Sequence, residues 1–255
     1  MTSLRQEADS VVRDHFDRSA GLYVDKYEVP YRIICQERLE LLDGYLSARR
    51  KDEFTVLDIG CGAGVFMDMI LDRYKNARAC CIDFSFQMLN RNARTPRKRL
   101  VWGDARMLPF RPASFDIINL DALMHHLIDR RGYQSTIQRI KDFLISLDSL
   151  LKPDGIVIVR EIYHEYIIRD SLGSRFVYAL STAKLPVALS RLLRTLGLNT
   201  VNVGVCFLTR NQWHEVFKYC GYAVLSAEDK PWTESPFAVA GFRRSGDLYF
   251  TLSRA

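Results

Sequence analysis

The sequence predicts an α/β protein built on a mostly parallel sheet. Residues Phe54–Ile59 form a short run of β-branched and apolar residues, which is typical of a strand buried on both faces. Three glycines follow at alternate positions, and Val65–Leu71 then changes to helical spacing. Strand, glycine turn and helix in succession are the first half of a βαβ unit. The 255 residues and 48% apolar content allow one large α/β domain, or one domain with a cap.

The glycine turn at residues 60–64 is expected to bind a ligand, because ligands of open α/β sheets bind at the carboxyl ends of the strands. A dinucleotide-binding turn would place its third glycine at position 65, which is a valine here. A P-loop would need Gly-Lys-Ser/Thr at its end, and the turn has none. Asp58, two residues before the first glycine, favours a ligand that carries an ammonium group.

A second strand, predicted over Ala77–Ile82, ends at Asp83. In nucleotide-binding βαβ units, an acidic residue about 20 residues further on, at the tip of the next strand, grips the ribose diol. One carboxylate can accept two hydroxyl hydrogen bonds, and its charge strengthens both. Asp83 is therefore the candidate ribose ligand.

The stretch Asp58–Gly64 resembles motif I, D-x-G-x-G-x-G, of the class I S-adenosylmethionine-dependent methyltransferases. Three later stretches resemble the same family: Asp83–Leu89 (D-x-S-x-x-M-L), Gly103–Phe110 (G-D-A-x-x-L-P-F) and the S-F-D at 114–116. The resemblance covers residues 11–253 and points to a small-molecule subgroup like that of ubiquinone and menaquinone biosynthesis. It implies a seven-stranded, mostly parallel, doubly wound sheet of the Rossmann-like methyltransferase type.

The resemblance also implies the cofactor, S-adenosylmethionine, and the residues that bind it. Asp58 and the glycine backbone would hold its amino-acid end, Asp83 the ribose and Asp104 the adenine amino group. Other cofactor contacts are expected from residues in or next to these motifs, namely Tyr23, Gly60, Cys61, Gly62, Phe84, Met88, Ala105 and Asn119. No metal is expected, because the six cysteines form no C-x-x-C pair with further ligands nearby.

A fourth strand, Ser114–Leu120, brings Asn119 to the same edge, and His125 and His126 follow it. The family often carries a similar pair beside the sulfonium. Either histidine is a candidate general base, since histidine titrates near neutral pH. The alternative stays open, because a good nucleophile needs no base and paired histidines also bond to backbone.

The segment 1–50 is predicted to be a helical lid. Two helices, at 11–20 and 31–45, are expected on either side of residues 21–27. The F-D-R-S-A-G-L-Y pattern resembles the lid of small-molecule methyltransferases, in which a tyrosine closes over the methionine end of the cofactor. Tyr23 would play that part and Tyr27 would touch the acceptor; equally, both would simply pack the helix onto the sheet.

A long helix, Gln134–Leu151, is followed by Leu150–Gly155, which resembles the family's L-K-P-G-G junction. The fifth strand is predicted over Ile156–Arg160. Glu161, Tyr163 and His164 would then follow the strand at the site edge as substrate contacts, the alternative being ordinary surface polarity.

Residues 166–205 are predicted to form a helical cap inserted into the cofactor-binding domain, which comprises 51–165 and 206–255. The apolar stripes and basic residues of this segment suit a bulky, partly apolar acceptor or a membrane surface. A cap that only buries its own helices is equally compatible with the pattern.

The last part of the chain is predicted to be a helix, Leu208–Phe217, capped by Thr209, followed by a sixth strand, Tyr222–Ala227. The seventh strand is expected over Leu248–Ser253, with Phe237–Phe242 in the preceding loop; the reverse assignment is the alternative. The two strands would form a hairpin that inserts one antiparallel strand into the sheet, which is the topology of the family.

The predicted function is transfer of a methyl group to an O, N or C atom of a small-molecule acceptor such as a lipid, a quinone or a natural product. An RNA or protein methyltransferase is the second hypothesis, and a non-catalytic protein of the same fold is the third. Against nucleic acid, the chain has no appended binding module, its net charge of +6 is spread along the chain, and Asn119–Ala122 replaces the base-methylating Asn-Pro-Pro-Tyr. No leader or membrane-spanning run is recognised, which predicts a cytoplasmic protein; oligomeric state and peripheral membrane contact stay open.

Overall fold

One seven-stranded sheet organises the chain in the computed structural model. The structure describes residues 2–47, 52–167, 170–186, 188–190, 200–232 and 242–255, without the side chains of 2–11, 15, 18–20, 22–29, 170–171 and 242. The strands are β1 (Phe54–Ile59), β2 (Ala77–Asp83), β3 (Lys98–Trp102), β4 (Phe115–Asp121), β5 (Leu151–Tyr166), β6 (Tyr222–Pro231) and β7 (Phe242–Arg254). The helices are α1 (Thr2–Ser47), α2 (Val65–Arg73), α3 (Phe86–Arg91), α4 (Tyr133–Asp148), α5 (Asp170–Thr182) and α6 (Arg210–Tyr219).

The strands follow the order β3-β2-β1-β4-β5-β7-β6. β1 pairs in parallel with β2 and β4, and β2 pairs in parallel with β3. β6 and β7 pair antiparallel, with a register irregularity between Val224 and Ser226. The prediction of a mostly parallel seven-stranded sheet is confirmed. Because the carboxyl ends of parallel strands share one edge, β1 to β4 bring the ends of four segments of the chain together.

The chain divides into two compact units. The first unit is Arg13–Asp121 with Leu147–Ile158, and the second is Met1–Val12, Ala122–Ser146 and Val159–Ala255. In the first unit, α1 contributes an apolar stripe at helical spacing, Cys35, Leu39, Leu42 and Leu46, to a core shared with α2, β1 and β2. Burial of each such side chain contributes about 1.5–3 kcal/mol.

The predicted pair of N-terminal helices is wrong, because α1 runs without interruption from Thr2 to Ser47 with Pro30 inside it. Proline removes one intrahelical hydrogen bond, and the residues on both sides still continue the helix. The side chains of Tyr23 and Tyr27 lie outside the described part of the chain. None of the described helices combines the length and apolar content needed to cross a membrane.

The fifth strand is longer than predicted. β5 begins at Leu151 and ends at Tyr166, so Glu161, Tyr163 and His164 lie within the strand and not beyond its end. A parallel bridge between Tyr163 and Leu208 gives this extension a pairing partner far along the chain, which local sequence patterns do not reveal. In the predicted cap, α5 is helical and residues 191–199 lie outside the described part; its role as a cap stays a prediction.

Candidate active site

The glycine turn after β1 requires its three glycines. Gly60, Gly62 and Gly64 have φ angles of 74°, 52° and 81°, in the left-handed region that side chains with a Cβ rarely adopt. A Cβ on Gly64 would lie 2.3 Å from Oδ1 of Asn92. The side chain of Asn92 also donates from Nδ2 to the carbonyl oxygen of Gly62, at 3.2 Å. Apart from its chain neighbours, no described residue has a heavy atom within 4 Å of the position of a Cβ on Gly62, so the backbone there is open.

Asp58, at the end of β1, belongs to a buried network that reaches α1. Nδ2 of Asn119 donates to Oδ1 of Asp58 at 2.6 Å, and Oδ1 of Asn119 accepts from Nη2 of Arg38. Nη1 of Arg38 lies 2.8 Å from Oδ2 of Asp121, which also accepts from the hydroxyl of Tyr31 at 2.5 Å. Arg38 is only 1% exposed and its guanidinium lies over the ring of Phe66, 4.2 Å from the centroid.

Among the residues that the structure describes, this network contains more carboxylates than cations. Burial, first, and then the neighbouring Asp121 and Asp83 raise the pKa of Asp58 to about 7, while Asn119 and Arg38 act in the opposite direction. Arg38 is thus the one described cation near two buried carboxylates, those of Asp58 and Asp121. A cation beside Asp58 would relieve this imbalance, which is the electrostatic requirement for holding an ammonium group.

Asp83, the last residue of β2, is buried beside the glycine turn. Oδ2 accepts from the backbone N–H of Gly62 and Oδ1 from that of Ser85, each at 2.8 Å. Burial raises the pKa of Asp83, and these backbone hydrogen bonds oppose the rise. A carboxylate has about four acceptor positions, so acceptor capacity remains for the hydroxyl groups of a ligand.

Asp104 follows β3 but is engaged elsewhere. The backbone N–H of Gly103 donates to the carbonyl oxygen of Asp83 at 3.0 Å, which places the end of β3 beside that of β2. The carboxylate of Asp104 forms an ion pair with Arg106 and accepts from the backbone N–H of Arg106 at 2.8 Å. The structure therefore brings together Asp58, Asp83, Asn119 and the glycine turn, with Asp104 nearby but held by Arg106.

The remaining predicted cofactor contacts differ in how accessible they are. Phe84 is half-buried and its ring is 6.3 Å from that of Phe16, and Ala105 is half-buried. Met88 is buried in α3. A hydrogen bond with Cys81, followed by burial, raises the pKa of Cys61, so the thiol stays protonated. Their part in binding stays a prediction.

A second cluster lies in the second unit, around the predicted histidines. Nδ1 of His125 is 2.7 Å from Oε2 of Glu161, and Oε1 of Glu161 accepts from the backbone N–H of Met124 at 2.6 Å. His125 is buried, with its ring 4.2 Å from that of His126 and 4.9 Å from that of Phe207. Because a carboxylate only accepts, Nδ1 carries the proton and Nε2 of the neutral ring is left as the basic nitrogen.

The other two residues predicted as substrate contacts have separate partners. His164 is buried, bonds to the hydroxyl of Ser245 at 2.6 Å, and has a pKa lowered to about 3 by burial, first, and by His125. Tyr163 is buried and donates to Oδ1 of Asp229 at 2.7 Å. His164 packs on Phe207 within the His125 cluster, whereas Tyr163 does not belong to it.

Sequence reasoning missed Arg38, Tyr31, Asp121 and Phe207. Arg38 gave one usable signal: it is a charged residue among Cys35, Leu39 and Leu42 on the apolar face of α1. A charge in that place needs a buried partner. The identity of the partner depends on a contact across 81 residues of sequence, which spacing cannot predict.

The sheet order, the glycine turn after the central strand and the carboxylates at adjoining strand ends agree with the fold of the class I methyltransferases. In agreement with that class, residues 57–159 match the family model described as a methyltransferase domain. This match supports the resemblance to the class I S-adenosylmethionine-dependent methyltransferases that the motifs predicted.

Relatives and solved structures agree with this assignment. A malonyl-[acyl-carrier protein] O-methyltransferase of Halalkalibacterium halodurans is 24% identical over 254 residues, covering 95% of this chain and 84% of the relative. An uncharacterised protein, MJ1252, of Methanocaldococcus jannaschii is 27% identical over 169 residues, and the match spans 65% of this chain but only 58% of that relative.

Among solved structures, the 1,6-didemethyltoxoflavin-N1-methyltransferase of Burkholderia thailandensis, with 1,6-didemethyltoxoflavin and S-adenosylhomocysteine bound, has a TM-score of 0.61. It is 17% identical, and the match covers 98% of this chain and 90% of that one. At this identity the likeness shows a shared fold.

Proposed function

We propose that the chain transfers a methyl group from S-adenosylmethionine to an O, N or C nucleophile of a small, partly apolar acceptor. The observation that carries the proposal is the buried, carboxylate-rich end of β1 beside an open glycine backbone. Asp58 would hold the ammonium group, Gly60–Gly64 would present bare backbone to the amino-acid end, and Asp83 would accept from the ribose hydroxyls. When bound, the donor supplies an electrophilic methyl group on a sulfonium.

The main contribution of the chain would be alignment. Rigid strand ends hold Asp58, Asp83 and Asn119 in place through the hydrogen bonds described above. An acceptor atom held in line at about 3–3.5 Å gains on the order of 7–11 kcal/mol from orientation alone. Asp104 would join in adenine binding after release from Arg106.

Proton removal would fall to His125, with Glu161 as a positioning residue. Glu161 holds the proton of His125 on Nδ1, so that Nε2 can take a proton from an acceptor hydroxyl or ammonium. Such help is worth about 10²–10⁴-fold where the acceptor must lose a proton. The pKa of His164, about 3, keeps that neighbour neutral, so it supplies no competing positive charge.

The comparisons support a small acceptor and leave its reactive atom open. The H. halodurans relative is named for O-methylation of a malonyl group, and the B. thailandensis neighbour for N-methylation of a small heterocycle. We therefore propose a small-molecule or carrier-bound acceptor.

The test is stabilisation by S-adenosylmethionine in a thermal unfolding experiment. A ligand at about 100 times its Kd adds about 2.7 kcal/mol to the free energy of unfolding, so the wild type is expected to melt several degrees higher. The variant Asp83→Asn should lose most of this shift, because one oxygen of the pair becomes a donor. Asp154→Asn, an exposed aspartate in β5, is the matched control and should behave as wild type. A wild-type melting temperature unchanged by the donor would overturn the proposal.

A further inference from the structure

The sheet face opposite the core of α1 and α2 is open near the amino ends of β1, β2 and β3. Pairing places Cys80 beside Arg99 on that face, and Thr55 beside Arg78. The connection from β3 to β4, residues 103–114, contains no helix that could cover them. A cavity of about 290 Å³ results, lined by Thr55, Arg78, Cys80, Pro96, Arg99 and Phe115 among others.

This cavity is distinct from the candidate donor site. Thr55, Lys98 and Phe115 lie at the starts of β1, β3 and β4, whereas Asp58, Asp83 and Asn119 lie at or near the ends of their strands. The two places are thus at opposite edges of the first unit. An inference about the cavity is independent of methyl transfer.

The chain concentrates positive charge around the cavity. Residues 84–103 contain no Asp or Glu but have five basic residues, Arg91, Arg94, Arg97, Lys98 and Arg99. The prediction that positive charge is spread along the chain is therefore wrong for this segment. Arg97 is occupied, because its guanidinium donates to the carbonyl oxygens of Leu71 and Tyr74 at 2.7 and 3.1 Å. Lys98 is occupied by an ion pair with Asp68.

Two guanidinium groups at the cavity remain available. Arg99 is exposed and makes no ion pair or hydrogen bond within the described residues. Arg78 pairs with Glu53 at 3.4 Å and with no other described residue, and the two side chains are 58% and 73% exposed. Such an exposed pair is worth about 0–1 kcal/mol, so an anion can readily displace Glu53. The nearby Asp116 is already paired with Lys152 at 2.7 Å and adds little repulsion.

We propose that this cavity binds a phosphorylated small molecule. Arg78 and Arg99 would hold the phosphate, since guanidinium groups match phosphate oxygens in charge and in bidentate geometry. Pro96 and Phe115 would contact the organic part. The volume is close to the lower limit of about 300 Å³ for ligand pockets, which favours a compact ligand such as a sugar phosphate over a polymer.

The experiment measures binding of glucose 6-phosphate, glucose and inorganic phosphate to the full chain by isothermal titration calorimetry. We expect saturable binding of glucose 6-phosphate, at least tenfold weaker binding of inorganic phosphate, and none of glucose. Arg99→Gln and Arg78→Gln should each weaken glucose 6-phosphate at least tenfold. Both variants should keep the stabilisation by S-adenosylmethionine, which shows that they are folded.

Arg94→Gln is the matched control, because Arg94 is an exposed arginine of the same basic stretch that does not line the cavity. It should leave the affinity within twofold of wild type. An equal loss in Arg94→Gln and Arg99→Gln would mean diffuse surface charge and would overturn the proposal. Absence of saturable binding, or equal affinities for inorganic phosphate and glucose 6-phosphate, would overturn it as well.

Discussion

The role proposed for Asp58 depends on how burial changes the ionisation of its carboxyl group. Burial is the main cause that raises its pKa to about 7, so the neutral carboxylic acid is populated near neutral pH. A raised pKa in the folded state means that ionising Asp58 costs stability. The protein without ligand should therefore lose stability as the pH rises from about 4 to 7, and a bound ammonium group should oppose this loss.

This tuning predicts the pH dependence of donor binding. Because binding favours the ionised form of Asp58, the affinity for S-adenosylmethionine should rise up to about pH 7 and fall about tenfold per pH unit below it. Calorimetry in buffers of different ionisation enthalpy should show proton release near pH 7. Asp58→Asn should bind weakly, without this pH dependence. An affinity independent of pH between 5.5 and 8 would contradict the assigned role.

Glu161 offers a second prediction at the level of one residue. In Glu161→Gln the amide would donate to Nδ1 of His125 and shift the ring proton to Nε2, which removes the basic nitrogen. The value of kcat should fall about 10²-fold or more, with the KM for S-adenosylmethionine nearly unchanged. The pH dependence of kcat should change as well, because a general base is the cause of a fall in rate at low pH. Wild-type kcat with an unaltered profile would show that Glu161 serves only the structure.

At the scale of elements, Arg38 links α1 to β4 through a hydrogen bond and an ion pair. The guanidinium reaches both Asn119 and Asp121, so one side chain connects the helix to the strand that supports Asp58. A buried ion pair adds little net stability, but removal of one partner leaves an uncompensated charge.

Arg38→Met should therefore lower the free energy of unfolding by about 3–5 kcal/mol, as measured by urea denaturation. Tyr31→Phe removes one hydrogen bond to Asp121 and should cost only about 1 kcal/mol. The double change Arg38→Met with Asp121→Asn should recover part of the loss, since the buried charge is then absent. Additive losses in the double variant would contradict coupling through this pair.

The elements also show where sequence reasoning succeeds. β1 was predicted to the residue, and the Thr209 cap of α6 is confirmed, because its side chain accepts from Gln212 in a reciprocal capping box. Local signals decide such features. The prediction divided α1 into two helices because Pro30 is a strong local signal for a helix start. It ended β5 too early because the bridge between Tyr163 and Leu208 joins residues far apart in the sequence.

At the scale of the whole molecule, the sequence revealed the carboxylates but not the groups that control them. Asp58 and Asp83 follow from motif spacing along neighbouring strands. Arg38 and Glu161 act through contacts 81 and 36 residues away, which only folding brings about. The net charge of +6 for the whole chain also gives no sign of the basic segment, residues 84–103, which has no acidic side chain in 20 residues.

Gly64 and Asn92 fit closely together, so the conformation of the glycine turn depends on a residue at the end of α3. A larger residue at position 64 meets two separate obstacles, the left-handed backbone and the amide of Asn92. A smaller residue at position 92 would remove only the second, and it would also release the carbonyl of Gly62 from its donor. A substitution at position 64 or at position 92 alone is therefore disfavoured. We expect the two residues to be substituted together or not at all.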